Sequence, residues 1–504
     1  RRLAIIDISP AGHQPMISRD GRFVLTFNGE IYNYRDLQSQ LRAHGHQFAS
    51  NSDTETIVHL YEQFGSSCVD HLRGMFAFAI WDDRKKKLFI ARDRVGKKPL
   101  YYSITRNGTF VFGSELKSLM QHPEIEREIN PQAIDAYFSL GYVPDPLSIF
   151  HNIEKLPPGH SLTFTGGQLT VERYWDFKYE TNGNGHRTVD YLDELRELLD
   201  ESVKLRLVSD VPLGAFLSGG IDSSTVVALM ARHMDQQVKT FSIGFNEDSY
   251  DELLYARLTA KRFGTDHHEF IVTPDICNVV DDLAWHFDEP FADSSAIPTY
   301  VVSKLAREHV TVVLTGDGGD ELFAGYTRYI TERRRKAFGL VPRLIKESVM
   351  NPLSRRLPHG AWGRNYLHNV SLDPIGRYLD NVSIFTGLNK ELLYTNDFSD
   401  SLGDGSQMGS YFEELRMSVK SDAALDSLLY IDSKTYLPGD ILTKVDRANM
   451  AVSLEARVPL LDHKLIEFVT RIPASMKMKG LETKHIFKRA IHDLVPAKIL
   501  NRPK

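Results

Sequence analysis

The spacing of hydrophobic and polar positions differs between the first third of the chain and the rest. In the first third, short apolar runs typical of strands are separated by segments with apolar residues every three or four positions, which are typical of helices. The strands are predicted at 23–27, 75–81, 88–91 and 109–112, and the helices at 34–44 and 55–64. This mixture predicts an α+β domain.

From about residue 191, helices and strands alternate. The helices are predicted at 191–206, 223–234, 253–263 and 298–307, and the strands at 214–217, 238–245, 268–272 and 310–314. Such alternation predicts an α/β doubly wound parallel sheet, in which ligands bind beyond the carboxyl ends of the strands. The loops that begin at Ser218 and Thr315 are therefore candidate site segments. The remainder, from about residue 330, is predicted to be mainly helical.

The domain boundary is predicted from turn-forming residues. Pro157-Pro158-Gly159 and then a Gly- and Asn-rich stretch at 181–185 indicate a linker over about 176–188. We therefore predict one domain over residues 1–175 and a second over 189–504. A length of 504 residues is consistent with two or more domains.

Composition is that of a globular protein, with 42% hydrophobic residues, 25% charged residues and a net charge of −6. The acidic balance argues against broad binding to nucleic acid or anionic membranes. The basic run at 333–336 is predicted to be a solvated helix face. No apolar stretch approaches the roughly 18 residues of a membrane span.

Cysteine usage and the chain ends give three further expectations. Cys68 and Cys277 cannot form a disulfide framework and lack zinc-site spacing, so we predict core residues in a reducing compartment, the cytoplasm. The first residues include neither an initiator Met nor the apolar core of a signal peptide. We therefore expect the sequence to begin inside a longer protein.

A loop of small residues at 217–224, Leu-Ser-Gly-Gly-Ile-Asp-Ser-Ser, lies between a predicted buried strand and a predicted helix. In that position, backbone N–H groups and the positive end of the helix can surround an anion. The loop lacks the lysine of the GxxxxGK[ST] motif, which serves γ-phosphate transfer. The sequence therefore predicts a phosphate site for a reaction that cleaves the nucleotide elsewhere than at the γ-phosphate.

This loop resembles the SGG-x-DSS loop of the pyrophosphatase-loop family. The resemblance implies that an acceptor attacks the α-phosphate of ATP and becomes an adenylate while pyrophosphate leaves. It assigns ATP contacts to Leu217, Ser218, Gly219, Gly220, Asp222, Ser223 and Ile243. It also implies that Asp222 helps to hold Mg²⁺, because a divalent ion neutralises the departing pyrophosphate.

A second loop, Leu-Thr-Gly-Asp-Gly-Gly-Asp-Glu at 314–321, resembles a signature of the asparagine synthetase family. The resemblance implies that Thr315 and Gly316 contact ATP and that Asp320 holds Mg²⁺. Asp317 stands where many members of that family have Glu, an acid that is implicated in adenylate formation and in receiving ammonia. We therefore assign a catalytic role to Asp317 and leave the acceptor open between aspartate and another carboxylate.

Further segments at 288–295, 444–447 and 455–459 also resemble this family. Glu455 and Arg457 fit either a buried ion pair or substrate ligands, and Asp440 is a candidate for the substrate amine. Lys504 is matched to a lysine that stabilises charge on the reacting phosphate. Because family members continue beyond that lysine, we expect the sequence to end before its relatives do.

Four segments of the first domain, at 2–7, 27–33, 51–55 and 73–78, resemble the class II glutamine amidotransferase domain. The resemblance implies a layered N-terminal nucleophile hydrolase fold and a glutamine site. Such a site needs a cation for the α-carboxylate, an anion for the α-ammonium and donors for an oxyanion. The resemblance assigns the cation to Arg2 and the anion to Asp53. It assigns the oxyanion donors to Asn28 and Gly29, and Glu30 contributes to binding.

The nucleophile that this resemblance implies is an N-terminal cysteine whose α-amine acts as base. Such a residue would lie upstream of the present sequence, and neither Cys68 nor Cys277 can replace it. As written, the sequence is expected to bind glutamine poorly and not to hydrolyse it.

Together these resemblances imply a ligase that converts aspartate, ATP and glutamine to asparagine, AMP, pyrophosphate and glutamate, with ATP and Mg²⁺ as cofactors. Its partners would be small molecules, with neither nucleic acid nor membrane, and a homodimer is compatible with the resemblance. Two alternatives stay open. One is a related amidotransferase that acts on another carboxylate, from cell-surface or natural-product biosynthesis. The other is a non-catalytic regulator that binds glutamine or nucleotide.

Overall fold

The computed structural model describes residues 3–179, 188–244, 252–271, 276–403 and 407–502. Arg2, Lys504 and most of the predicted linker lie outside these residues. The predicted architecture is confirmed: a layered α+β half precedes an α/β half with a parallel sheet and a helical C-terminal part.

The first half contains a six-stranded antiparallel sheet, in the order β1-β2-β3-β4-β8-β9, and a three-stranded sheet, in the order β6-β5-β7. The strands are β1 Met16–Ile17, β2 Phe23–Ile31, β3 Gly74–Asp82, β4 Lys87–Arg92, β5 Tyr101–Ile104, β6 Phe110–Gly113, β7 Glu154–Lys155, β8 His160–Thr165 and β9 Gln168–Arg173. The helices are α1 Tyr34–Ala43, α2 Asp53–Phe64, α3 Cys68–His71, α4 Leu116–Leu119 and α5 Pro131–Leu140.

Strand β3 is buried on both faces, which explains its unbroken apolar sequence. Phe76 and Phe78 belong to the core that α1 and α2 share with the large sheet. Ala77 and Ala79 point to the opposite face, where they pack with Tyr102 and other side chains of the small sheet. Cys68 is a fully buried core residue, as predicted, and burial raises its pKa.

The second half contains a five-stranded parallel sheet in the order β12-β11-β10-β13-β14. Its strands are β10 Leu213–Phe216, β11 Lys239–Gly244, β12 Asp266–Ile271, β13 Val312–Leu314 and β14 Glu455–Arg457. The strand order reverses direction at β10, where β11 lies on one side and β13 on the other. Loops that leave the sheet at such a point diverge and open a crevice.

Helices surround this sheet and form the C-terminal part. They are α6 Thr188–Leu205, α7 Ile221–His233, α8 Leu253–Phe263, α9 Ile276–Phe287, α10 Ala296–Arg307, α11 Gly319–Leu322, α12 Thr327–Arg335, α13 Arg343–Ile345, α14 Asn351–Arg356, α15 Arg364–Ser371, α16 Pro374–Val382, α17 Gly387–Leu393, α18 Asn396–Ser401, α19 Gln407–Met417, α20 Ala424–Lys434, α21 Thr443–Met450, α22 His463–Arg471, α23 Ala474–Lys477, α24 His485–Ala490 and α25 Ala497–Leu500. In the parts of the chain that the structure describes, no helix is long and apolar enough to cross a membrane.

Two boundary predictions are wrong in ways that matter for the sites. Strand β2 continues four residues past its predicted end at 27, so Asn28, Gly29 and Glu30 lie within the strand. The segment 455–457, predicted within a helical region, is strand β14, which pairs with β13 at the sheet edge. In both cases tertiary pairing overrode weak local strand propensity.

Buried ion pairs join the two halves. Asp462 is fully buried and accepts hydrogen bonds from Arg73 Nε at 2.8 Å and Arg206 Nη1 at 3.0 Å. Lys97 donates to the Leu461 carbonyl at 2.7 Å, and Lys98 pairs with Asp446 at 2.9 Å. The halves therefore meet through buried charged groups, of which Arg73 and Lys98 pair with carboxylates of the other half.

Candidate active site

The loop after β10 is held against the neighbouring strand by main-chain contacts. Leu217 is buried, its N–H donates to the Phe241 carbonyl at 2.9 Å, and its carbonyl accepts from the Ser242 hydroxyl. Gly219 has a φ of +71°, and a Cβ at this position would come within 2.6 Å of the Ala256 amide nitrogen. Only glycine allows the chain to turn here so close to α8.

The small side chains of this loop gather at the start of α7. Gly220 is the N-cap of α7, and its N–H donates to Ser218 Oγ at 3.3 Å. Ser218 Oγ also lies 3.1 Å from Ser223 Oγ, so both predicted phosphate ligands share one location. Exposed N–H groups and the positive end of a 13-residue helix make this a suitable place for an anion. Ile243 lies half-buried near the end of the adjacent β11.

The second loop, after β13, packs directly on the first. A Cβ at Gly316 would lie 2.6 Å from the Ser223 amide nitrogen, and a Cβ at Gly319 would lie 2.3 Å from Asp222 Oδ1. Thr315 is buried, and its N–H donates to the Arg457 carbonyl at 2.9 Å. The two loops that the sequence singled out are thus brought together, with backbone in contact with backbone.

Lys484 lies between the two loops, and sequence reasoning missed it. Its ammonium donates to Asp222 Oδ2 and lies 2.8 Å from Asp320 Oδ1. Burial alone would lower the pKa of Lys484, but the two carboxylates raise it above its ordinary value. A Cβ at Gly325 would collide with both Asp320 and Lys484, so the glycine leaves room for this contact.

The carboxylates of Asp222 and Asp320 have the properties of a magnesium site. Asp222 lies in the first turn of α7, and Asp320 lies in the first turn of the short helix α11. Both carboxylates contact the same cation, the Lys484 ammonium. Carboxylate oxygens are the hard ligands that Mg²⁺ prefers, usually one or two of them together with phosphate and water. The residues present therefore fit the ion that the sequence implied.

A second group of charged side chains lies around Lys444. Its ammonium contacts Asp293 Oδ2 at 2.6 Å and Ser295 Oγ at 2.8 Å. Burial works to raise the pKa of Asp293, but Lys444 outweighs it and lowers the pKa to about 2. Asp440 is buried, and its desolvation together with the charge of Asp293 raises its pKa to about 8. Asp440 therefore keeps its proton near neutral pH unless a further cation arrives.

Two acids of the second loop are also shifted. Burial raises the pKa of Asp317, Lys444 opposes this, and the nearby Asp320 raises it further. Burial and Asp320 raise the pKa of Glu321 to about 7, although the Tyr326 hydroxyl donates to this carboxylate at 2.7 Å. The site has more carboxyl groups than cations, which suits a metal ion and substrates with an ammonium group.

The glutamine-site residues are held by β2 and α2. Asn28, Gly29 and Glu30 lie at the end of β2, and Asp53 is the first residue of α2. Asp53 Oδ2 accepts from the Ile31 N–H at 2.9 Å, which joins the two elements. Gly29 has a φ of +144°, and a Cβ there would lie 2.0 Å from the Met75 carbonyl oxygen. Four of the five predicted residues are thus brought together, and the fifth, Arg2, lies outside the described residues.

Glu455 and Arg457 have the contacts of a structural ion pair. Arg457 is fully buried, and its Nε donates to Glu455 Oε1 at 2.8 Å. Its Nη1 donates to the carbonyls of Arg206 and Val208 at 2.8 and 2.6 Å, and its Nη2 lies 3.9 Å from Glu30 Oε2. These contacts support the ion-pair interpretation over the substrate-ligand one, and they connect β14 to the glutamine site.

The site residues that sequence reasoning missed have no motif or spacing around them that predicts a role. Lys484 is one of several lysines in a helical, basic segment, and Lys444 and Asp293 belonged to matched segments without any assigned role. Only the left-handed conformation of Lys484, with a φ of +53°, marks it as unusual, and this is visible only in three dimensions. Lys504 lies outside the described residues, so its proposed role stays a prediction.

Comparison with known families agrees with this arrangement. The family model described as asparagine synthase matches residues 194–504, and the model described as a glutamine amidotransferase domain matches residues 1–175. The chain belongs to the asparagine synthase family. Its first 175 residues belong to the glutamine amidotransferase domain family.

Individual relatives of this asparagine synthase family member span most of its length. Asparagine synthetase [glutamine-hydrolyzing] 1 of Bacillus subtilis is 37% identical over 507 aligned positions, which cover 100% of this chain and 78% of the relative. A putative asparagine synthetase [glutamine-hydrolyzing] 2 of Methanocaldococcus jannaschii is 40% identical over 363 positions, covering 68% and 70%. A protein named amidase chry2 of Gibberella zeae is 30% identical over 553 positions, covering 100% and 79%.

Proposed function

We propose that this protein aminates a carboxylate, aspartate, at the expense of ATP, with ammonia that comes from glutamine. The aspartate side-chain carboxylate attacks the α-phosphate of ATP, pyrophosphate leaves, and an aspartyl-adenylate forms. Ammonia then attacks the activated carbonyl carbon, AMP leaves, and asparagine is the product. The proposal accounts for both families that the chain matches.

The observation that carries the proposal is the convergence of Asp222, Asp320 and Lys484 on one point beside the loop after β10. The phosphate chain of ATP would lie at the start of α7, among Ser218, Gly219 and Ser223. Pyrophosphate is a poor leaving group unless its charge is neutralised. Mg²⁺ held by Asp222 and Asp320 would supply part of that neutralisation, and the buried Lys484 ammonium would supply another part.

The acid-rich region around Asp317 and Asp440 is the proposed acceptor site. An α-ammonium group that enters it would stabilise the ionised form of Asp440, whose pKa is raised to about 8 in the structure. Lys444 holds Asp293 and opposes the rise that burial causes in the pKa of Asp317, so it favours negative charge within reach of the reacting groups. We therefore assign substrate binding to Asp440 and a role in the chemical step to Asp317.

The proposed nitrogen donor is supported by contacts between the glutamine site and the second half. Asn28 Nδ2 donates to Ser114 Oγ at 3.3 Å, and Arg447 of α21 donates to the Ser114 carbonyl at 2.9 Å. A cavity between the halves is lined by residues of both, including Tyr101 and Asp145 on one side and Leu442 and Arg447 on the other. Because Arg447 both lines this cavity and contacts Ser114, the hydrogen-bond partner of Asn28, we assign the passage of ammonia to this region.

The proposal is tested by substrate dependence. With ATP, Mg²⁺ and ammonia, the enzyme is expected to release AMP and pyrophosphate when aspartate is present and not when glutamate replaces it. Glutamate is a demanding control because one methylene alone is worth only about 1 to 3 kcal/mol in an ordinary pocket. Strong discrimination would require fixed partners for both α-groups of aspartate. Release of pyrophosphate without any dependence on aspartate would contradict the proposal.

A second candidate function is amidation of a different carboxylate. Asp317, where many asparagine synthetases have Glu, favours it, and so does the similarity to a relative named as an amidase. The two candidates share the same ATP chemistry and differ only in the acceptor. Pyrophosphate release that is stimulated by another carboxylic acid, and not by aspartate, would select this alternative.

A further inference from the structure

A group of three side chains lies on the first half, in the loop between α1 and α2 and along α2. It consists of His46, His59 and Glu62. The Nδ1 atoms of His46 and His59 are 3.2 Å apart, His46 Nδ1 is 3.4 Å from Glu62 Oε2, and His59 Nδ1 is 3.2 Å from the same oxygen. Three potential ligand atoms therefore form a nearly equilateral triangle.

The dimensions of this triangle match one face of a tetrahedral metal site. Imidazole nitrogen and carboxylate oxygen bind Zn²⁺ at roughly 2.0 to 2.1 Å, so neighbouring ligand atoms in a tetrahedron are about 3.3 Å apart. All three observed edges lie close to that separation. An ion slightly above the triangle would reach all three atoms with little rearrangement, and its fourth position would face solvent beside the exposed Glu62.

The outer nitrogens of both histidines face oxygen atoms. His46 Nε2 lies 3.1 Å from Gln63 Oε1, and His59 Nε2 lies 3.7 Å from Glu55 Oε1. An oxygen acceptor fixes the imidazole proton on Nε2, which leaves a lone pair on Nδ1. When both imidazole protons lie on Nε2, the two Nδ1 lone pairs and the Glu62 carboxylate converge, and either a proton or a metal cation between them stabilises the arrangement.

The surroundings hold the two rings in this orientation. The Glu55 carboxylate is fixed by the N–H groups of Ala49 and Ser50 at 2.8 and 2.7 Å, and the Phe48 ring packs edge-on against His59 with centroids 4.7 Å apart. Metal-bound histidines commonly donate their second N–H to a carboxylate that is itself held by hydrogen bonds. Glu55 lies on the corresponding side of His59, with Oε1 3.7 Å from Nε2.

We propose that His46, His59 and Glu62 bind a divalent transition-metal ion such as Zn²⁺ through His46 Nδ1, His59 Nδ1 and Glu62 Oε2. Two imidazoles and one carboxylate select a borderline ion of this kind over Mg²⁺, which prefers oxygen ligands in an octahedron. The ion would join the loop at His46 to α2, the helix that begins at Asp53. This site is independent of the proposed amidation and lies in the other half from Asp222.

The test measures Zn²⁺ binding to the untagged, metal-free protein by calorimetry. The absorption spectrum of the Co²⁺-loaded protein is a second measurement. We expect one ion per chain at this site and the intense visible bands of tetrahedral Co²⁺. His46→Gln and Glu62→Gln should each weaken binding by about a hundredfold or more, since even the loss of an outer-shell partner costs about 10- to 100-fold. His44→Gln is the matched control, because His44 is an exposed histidine two positions away and should leave binding unchanged.

Saturating Zn²⁺ should also raise the midpoint of thermal unfolding in the parent and in His44→Gln, but not in His46→Gln. Both ligand variants alter side chains that reach the surface, so both should fold, and near-parental unfolding without metal would verify this. The proposal is overturned if the parent binds no stoichiometric Zn²⁺. It is equally overturned if His44→Gln loses affinity to the same extent as His46→Gln, because the ion would then be bound by surface histidines at large.

Discussion

The proposed glutamine site and the proposed ATP site differ in how the chain assembles them. Asn28, Gly29 and Glu30 are consecutive residues of β2, and a single hydrogen bond from Ile31 brings Asp53 to them. Asp222 and Lys484, in contrast, are 262 positions apart and meet because the start of α24 is held at the end of α11, where the Lys484 N–H donates to the Phe323 carbonyl. The first site depends on one strand and one helix, whereas the second depends on the packing of the whole second half.

This difference has a consequence for substitutions. A substitution at the proposed ATP site removes a charge from a cluster of side chains that pair with one another. It should therefore reduce the reaction rate and disturb the local structure at the same time. A change at the glutamine site removes one contact from a framework of backbone hydrogen bonds that the sheet maintains by itself. Five predictions, from the largest expected effect to the smallest, test this contrast.

Asp222→Ala is expected to reduce ATP–pyrophosphate exchange by about a thousandfold or more, which corresponds to about 4 kcal/mol in barrier. Loss of the carboxylate removes a proposed metal ligand and leaves Lys484 with Asp320 alone. Exchange of radiolabelled pyrophosphate into ATP provides the measurement. Asp200→Ala, at a partly exposed acid of α6, is the control and should keep parental exchange. Parental exchange in Asp222→Ala would remove this residue from the mechanism.

Asp462→Asn is expected to lower the free energy of unfolding by about 3 to 5 kcal/mol, because it removes the carboxylate partner of the buried Arg206 and leaves Arg73 paired with Glu201 alone. Burial opposes ionisation of Asp462, but the two guanidinium groups hold its pKa below its ordinary value. A lowered pKa means that this stabilisation is complete above the unfolded-state pKa of about 3.9 and is lost as the pH falls below it. Denaturant titrations at pH 7 and pH 3 should therefore show a large deficit of the variant at pH 7 and a smaller one at pH 3.

Glu321→Gln is expected to flatten the pH dependence of stability between about pH 4.5 and 7. The pKa of Glu321 is raised to about 7, so the unfolded chain releases this proton at lower pH than the folded protein does. The unfolded state then binds fewer protons in that window, and the parent should lose up to about 3 kcal/mol as the pH rises through it. Chemical denaturation of parent and variant at pH 4.5 and 7.5 measures this. An equal loss in both proteins would contradict the assignment to Glu321.

In a protein that carries the N-terminal cysteine expected of the amidotransferase domain, Asp53→Ala is expected to raise KM for glutamine about 10- to 100-fold, because a charge-assisted hydrogen bond to the α-ammonium is worth about 1.5 to 3 kcal/mol. KM for ammonia should stay at its parental value, since ammonia does not use that contact. Asp53 also accepts a hydrogen bond from Ile31, so the experiment includes Asp53→Asn and a thermal unfolding curve for each variant. Equal losses with both nitrogen donors would assign Asp53 a folding role instead.

Asp317→Glu is expected to change aspartate-dependent turnover by no more than about tenfold, or about 1.4 kcal/mol in barrier. The variant keeps the charge and changes only the reach of the carboxylate beside Lys444 and Asp320. Steady-state release of pyrophosphate with aspartate and ammonia gives the comparison. Asp317→Asn is the matched comparison, because it keeps the size of the side chain and removes the charge. We expect it to lose more aspartate-dependent turnover than Asp317→Glu.

Much of the architecture was predictable because strong periodicity determines it. Helix α8 has the predicted bounds, and β3, β4, β10 and β11 lie within one or two residues of prediction where they are described. The end of β2 was not predictable, because Asn28, Gly29 and Glu30 have low strand propensity and are held extended by pairing with Phe76 and its neighbours. Strand β14 was missed for the same reason: its three residues gain strand geometry from β13.

The sequence by itself determined the two halves, the alternation that produces the parallel sheet, and the loops at 217–224 and 314–321, because these follow from local patterns of apolar spacing and small residues. Only the tertiary structure decided that Lys484 joins Asp222 to Asp320, that Arg457 is a buried partner of Glu455, and that His46 faces His59. The physical reason is that these are contacts between charged or polar groups of distant segments. Their strength comes from burial and from the distance between two atoms, and the local pattern along the chain contains neither.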